Sequence, residues 1–134
     1  MTEAVLDASV VLKWFAPKAE VSSERARIVR ERHRAGELIV IVPSLLFLEI
    51  LNVAGRRWTW PEADLLDLAA SLKMVAFDVA EADLEDLTPW IAWGLSAYDA
   101  AYVALAESRG IPLLTEDDRI LAVAPETAID LASI

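Results

Sequence analysis

The 134-residue sequence predicts an α/β fold: a three-layer α/β/α domain in which helices cover both faces of a mostly parallel sheet of four to five strands. Three observations carry this reading. Apolar runs of strand length alternate with longer amphipathic segments, the order that builds βαβ units. Residues 38–42 are apolar, mostly β-branched and closed by Pro43, the clearest strand signal in the chain. With 56% hydrophobic residues the chain is too apolar for disorder, and its length implies one domain over residues 1–134.

The elements follow in order. Residues 4–6 read as a short buried strand ending at Asp7, and 8–15 as a brief helix stopped by Pro17. Ser22 or Ser23 caps an Arg-rich helix that Gly36 ends. After the strand at 38–42, Ser44 caps a helix to about Gly55. Pro61, suited to a first helical position, starts another that runs to about Leu72. Residues 74–77 are expected as a third strand, and 81–93 as a helix kinked at Pro89. A helix over 97–109 ends at Gly110, a fourth strand spans 112–115, a short helix 118–123, and a fifth strand at a sheet edge 127–131. No repeat, linker or low-complexity segment interrupts this order.

Charge is unevenly placed. The chain carries 22 acids and 12 bases, a net of −10, which argues against a general nucleic-acid coat protein because nonspecific affinity for phosphates comes from Lys and Arg. Seven acids and nine bases fall in residues 1–60, fifteen acids and three bases in the remainder. Arg25, Arg27, Arg30, Arg32 and Arg34 share one helical stretch, and Arg56-Arg57 add two more. They read either as a solvated helix face with Glu24 and Glu31 as partners, or as a basic lobe beside an acidic site. Without cysteine there are no disulfides or thiolate metal sites, which fits a reducing cytoplasm. The N-terminal segment has acids where a signal peptide has positive charge, and the longest apolar stretch, 38–48, falls short of the roughly 20 residues of a membrane helix. A soluble cytoplasmic protein without a membrane role is expected.

Four acids stand out. Asp7, Glu49 and Asp99 each sit alone in apolar sequence, and Asp117 follows the fourth strand. A buried carboxylate must be capped, paired, protonated or bound to a cation. Each acid also has a structural reading: Asp7 and Asp117 can cap the helices after them, and Ser96-Ala97-Tyr98-Asp99 has capping-box spacing. Glu49 lies in the second turn of its helix, past the positions a capping box uses. Taken together the acids fall at or just after strand ends, where open parallel sheets bind ligands. Oxygen donors, with no Cys and a single His, select Mg²⁺ or Mn²⁺ over zinc. Such ions activate water and stabilise the oxygens of an in-line phosphoryl displacement. Ser9 and Thr115, two residues from Asp7 and Asp117, could orient a carboxylate or serve as turn residues.

The segments Val5-Leu6-Asp7-Ala8-Ser9, Pro43 to Glu49, Leu95 to Tyr102 and Leu113-Leu114-Thr115-Glu116-Asp117 together resemble a PIN-domain ribonuclease of the VapC type, the toxin of VapBC toxin–antitoxin pairs. The resemblance runs nearly the full length. It implies a PIN-like, Rossmann-like domain with metal-dependent endonuclease activity on RNA. Asp7, Glu49 and Asp99 would be metal ligands and Asp117 a fourth, more variable acid. Glu116 and Asp118 flank that position, and the Thr-x-Asp spacing favours Asp117. Dimerisation and inhibition by a VapB-like antitoxin are also implied.

Other conspicuous residues have plainer readings. His33 lies in a polar helix and reads as a surface residue, and with no second histidine a two-imidazole nuclease mechanism is not available. Trp58 and Trp60 beside Arg56-Arg57 have the composition of a base-stacking patch, although packing is the commoner use of tryptophan. Trp90 and Trp93 fit one helix stripe in a core or interface. The four glycines stand singly and make no phosphate loop. A phosphoacceptor receiver domain needs adjacent acids after the first strand and a late Lys; Asp7 is alone and residues 112–121 offer only Arg119. The remaining alternative is a catalytically silent interaction module whose working surface is the apolar stretch 58–72.

Overall fold

In a computed structural model that describes residues 1–16 and 24–134, five parallel strands form one sheet in the order β3-β2-β1-β4-β5. The strands are β1 (Glu3–Leu6), β2 (Ile39–Val42), β3 (Asp78–Val79), β4 (Leu113–Thr115) and β5 (Ala128–Asp130). Helices α1 (Ala8–Phe15) and α2 (Glu24–Arg34) connect β1 to β2, and α3 (Leu45–Arg56) and α4 (Glu62–Met74) connect β2 to β3. α5 (Leu84–Ala92) and α6 (Ala97–Arg109) lead back to β4, and α7 (Asp118–Val123) to β5. The chain steps outward from β1 to β3, then returns past β1 to β4 and β5. Right-handed crossovers therefore place α1–α4 on one face and α5–α7 on the other. The contacts agree: α1 packs on α2 and α3, α3 on α4, and α5 on α6. Ala4, Val5, Leu6, Val40, Val42, Leu113, Leu114 and Thr115 are wholly buried, as strands covered on both faces must be.

Sequence order reverses between β1 and β4, so the crevice at their carboxyl ends is the switch point of the sheet. Asp7 follows β1 there, and Glu116 and Asp117 follow β4.

Several elements differ from the sequence reading. Residues 74–77 are not a strand: α4 continues through Met74, and the pairing with β2 is made by Asp78 and Val79. The apolar residues of that run are used for packing, with Phe77 stacked on Trp14 and His33 and tilted against Phe47. The helix expected over 81–93 begins only at Leu84, after the extended backbone of Asp83, and upstream the Glu81 Oε1 accepts the Ser44 backbone N–H at 2.8 Å. Ser44 holds the N-cap position of α3, but its side chain makes no capping bond. Pro61 stands one residue earlier than expected, at the N-cap of α4. Within α5, Pro89 has no N–H to give the Glu85 carbonyl, which instead accepts from the Thr88 hydroxyl at 2.7 Å. The stop at Pro17 and the cap at Ser22 or Ser23 lie outside the described residues. Among the described residues, no helix is long and apolar enough to cross a membrane.

Candidate active site

Asp7 is 4% exposed, one of the few polar side chains inside the core. It caps α1: its Oδ1 accepts from the Ser9 N–H at 3.0 Å and from the Ser9 hydroxyl at 2.5 Å. Its Oδ2 accepts from the fully buried Thr115 hydroxyl. The same two hydroxyls reach the chain after β4, where Ser9 Oγ accepts from the Glu116 N–H at 3.0 Å and Thr115 Oγ1 from the Asp117 N–H at 2.9 Å. Ser9 and Thr115 thus tie the carboxyl ends of β1 and β4 together through Asp7. Asp117 caps α7, with Oδ1 accepting from Ile120 N–H at 3.0 Å.

Glu49 and Asp99 approach from two helices. Glu49, half-buried on α3, accepts the Tyr102 hydroxyl on Oε1 at 2.8 Å. Asp99, also half-buried, lies in the first turn of α6, where the Ser96 hydroxyl oxygen accepts its N–H at 3.1 Å. α6 packs against β1 and β4, which carries Asp99 and Tyr102 toward the switch point.

The carboxyls are electrostatically coupled. Burial pushes Asp7 up to about 6, the Ser9 and Thr115 hydrogen bonds oppose that rise, and the Asp117 charge adds to it. Glu49 is raised by burial, eased by the Tyr102 hydroxyl, and raised further by Asp99 and Asp7. Burial and then Asp117 raise Asp99, against which the nearby Arg119 charge works. Burial and the Glu49 carboxylate keep the Tyr102 phenol protonated, so it is a donor. Glu116, the neighbour of Asp117, is engaged differently, in an ion pair with Lys13 at 2.9 Å.

All four sequence-selected acids therefore interact at one edge of the sheet. Among the described residues, however, no three His, Asp or Glu side chains stand close enough to hold a metal ion as placed. The donor set is wholly oxygen, and burial together with neighbouring acids raises Asp7, Glu49 and Asp99, a cost that a divalent cation relieves. The donor chemistry of these acids, though not their spacing as placed, suits Mg²⁺ or Mn²⁺.

The family profile described as PIN domain matches residues 4–125. The chain belongs to the PIN domain family. Solved PIN-fold relatives superpose over most of its length. PAE2754 from Pyrobaculum aerophilum is 26% identical, with a TM-score of 0.71, 98% of this chain and 91% of that chain covered. FitAcB from Neisseria gonorrhoeae is 14% identical (TM-score 0.70, 98% and 99% covered). VapC20 from Mycobacterium tuberculosis, described as a sarcin-ricin loop cleaving toxin, is 17% identical (TM-score 0.63, 90% and 95% covered). Among curated proteins none matches significantly.

In this PIN domain the α2 arginines follow the solvated-face reading, with Glu24 and Glu31 as partners, whereas His33 departs from its surface reading. The second half of α2 is not beside the acids: Arg32 donates to the Met1 carbonyl at 2.7 Å and His33 Nδ1 lies 3.1 Å from the Leu38 carbonyl, both ahead of strands whose opposite ends lead to the site. Arg27 and Arg34 pair with Glu24 and Glu31, and Arg30 lies over the Trp14 and Phe15 rings. His33 is half-buried rather than a surface residue, and with Trp14 and Arg30 it lines a cavity of about 660 Å³ that none of the four acids borders. The site also has a member the sequence reading did not assign, the Tyr102 hydroxyl. Its i+3 spacing from Asp99 was visible, but nothing local links it to Glu49, 53 positions away.

Proposed function

We propose that this PIN domain is a metal-dependent endoribonuclease, the toxin of a VapBC-type toxin–antitoxin pair. The observation that carries the proposal is the convergence of four acids at the switch point of the sheet, where burial and then a neighbouring acid raise Asp7, Glu49 and Asp99. The likeness to VapC20, to FitAcB and to a toxin–antitoxin complex from Klebsiella pneumoniae supports the toxin assignment and a VapB-like antitoxin partner. A homodimer is part of the same reading. α5 leaves Leu84 at 77% and Ile91 at 42% exposure, seven residues apart on one helix face, an apolar strip that a second copy would cover.

Asp7, Glu49, Asp99 and Asp117 would hold Mg²⁺ or Mn²⁺, which when bound lowers the pKa of water and neutralises charge developing on phosphate oxygens. The chain's own contribution is to fix the donors beforehand. Ser9 and Thr115 hold both Asp7 oxygens in one rotamer. Tyr102 occupies Oε1 of Glu49 and leaves Oε2 for a ligand, and the α7 cap on Oδ1 of Asp117 leaves Oδ2. Such fixing removes reorganisation when negative charge builds on a scissile phosphodiester. RNA is the proposed substrate.

The test is cleavage of single-stranded RNA in Mg²⁺ or Mn²⁺ by wild type and Asp99→Asn. Activity is expected to fall at least about a hundredfold, the upper range for disturbing the outer partners of a metal ligand. Undiminished cleavage by the folded variant would refute the assignment. The spacing of the acids, too wide as placed to hold an ion, favours a second reading, a silent PIN-fold interaction module. That module would bind no Mn²⁺ in a manner dependent on these acids.

A further inference from the structure

Of the four acids, Asp117 borders a groove of about 370 Å³ that Ser9, Lys13, Glu116, Arg57 and Trp58 also line. Its volume is at the lower end of the range for small-ligand sites, enough for about one nucleotide unit. Two cations and two acids line it, Lys13 and Arg57 with Glu116 and Asp117, and Lys13 is ion-paired to Glu116 at 2.9 Å.

Trp58 lines the groove while packing partly against the core. The ring is half-buried and lies against Trp60, with centroids 5.3 Å apart and planes at 44°. Between the two tryptophans Thr59 takes φ +54°, a left-handed conformation that β-branched residues avoid. The turn is held by the Trp58 and Trp60 N–H groups, which donate to Val53 and Ala54 carbonyls at 3.1 and 3.0 Å. Strain of this kind persists where the surrounding structure enforces it, and it clusters at ligand sites. Here it sets the indole that borders the groove.

We infer that this groove is a nucleotide subsite for single-stranded RNA, resting on the ribonuclease reading above. The base beside the scissile phosphate stacks on Trp58, and the adjoining phosphate is met by Arg57 and by Lys13 as it exchanges Glu116 for the phosphate, which registers the strand beside Asp117. Aromatic stacking with flanking cations is the general means of holding single strands with little sequence preference.

The test measures binding of a short single-stranded RNA by fluorescence anisotropy in EDTA, where cleavage is suppressed, together with KM and kcat in Mn²⁺. Trp58→Leu is expected to weaken binding about tenfold, and Trp58→Phe to retain most of it. Arg57→Gln is expected to lower the slope of log affinity against log salt by about 0.7, the value for one phosphate contact on a single strand. Both should raise KM more than they lower kcat, while Arg32→Gln on the far end of α2 leaves affinity and slope unchanged. If Trp58→Leu does not fold, Arg57→Gln carries the comparison, since it replaces an exposed side chain. Wild-type affinity in Arg57→Gln and, where it folds, in Trp58→Leu, or an equal loss in Arg32→Gln, overturns the subsite while leaving cleavage by wild type intact. A wild-type protein that binds RNA through these residues but never cleaves it overturns the ribonuclease reading instead.

Discussion

Asp7 is a carboxyl folded into apolar surroundings, and without a cation its ionisation costs stability. Its value rises from 3.8 to about 6 on folding, so the native state binds the proton more tightly than the unfolded chain. The stability from this group is therefore fully present below about pH 3.8 and is lost as pH rises through about 6. The difference amounts to about 3 kcal/mol. Urea denaturation in EDTA should show that Asp7→Asn flattens the fall in stability between pH 4.5 and 7 seen in wild type; parallel curves would contradict this. Asp7 was legible in the sequence as a lone acid after an apolar strand. The Ser9 cap was equally legible, whereas the Thr115 hydroxyl reaches Asp7 across 108 positions and needs the β1–β4 pairing to be seen.

The helices that carry Glu49 and Asp99 are joined by one hydrogen bond, from the buried Tyr102 hydroxyl on α6 to Glu49 on α3. Tyr102→Phe keeps the ring and removes the donor. It should cost about 1–3 kcal/mol in denaturation, the range for a hydrogen bond to a charged group. It should also weaken Mn²⁺ affinity about 10- to 100-fold, as loss of an outer partner of a metal ligand does. Unchanged Mn²⁺ affinity would make the bond purely structural. α6 could be read from sequence to the residue because both ends carry local chemistry, Ser96 capping the start and Gly110 at φ +65° closing the end. β3 could not, because a two-residue strand has no period and its pairing is supplied by β2. The late start of α5 was equally hidden, and the Glu81–Ser44 bond upstream of it joins residues 37 positions apart.

Across the whole chain, a net charge of −10 conceals a division of labour that composition could not assign. The α2 arginines run together in sequence, yet Arg32 braces the entry to β1, while Lys13 and Arg57, far apart in sequence, line one groove with Asp117. The sheet order explains this, because only the carboxyl ends of β1 and β4 meet at the switch point. Everything proposed for the chain depends on whether the four acids there take up a divalent ion. Thermal unfolding of wild type and Asp99→Asn across an Mn²⁺ titration addresses that directly. Binding to the native state should raise the wild-type Tm by on the order of 10 °C at a hundredfold excess over Kd, with the shift largely lost in Asp99→Asn. A wild-type Tm indifferent to Mn²⁺, or an equal shift in both proteins, would contradict a metal site at these carboxylates.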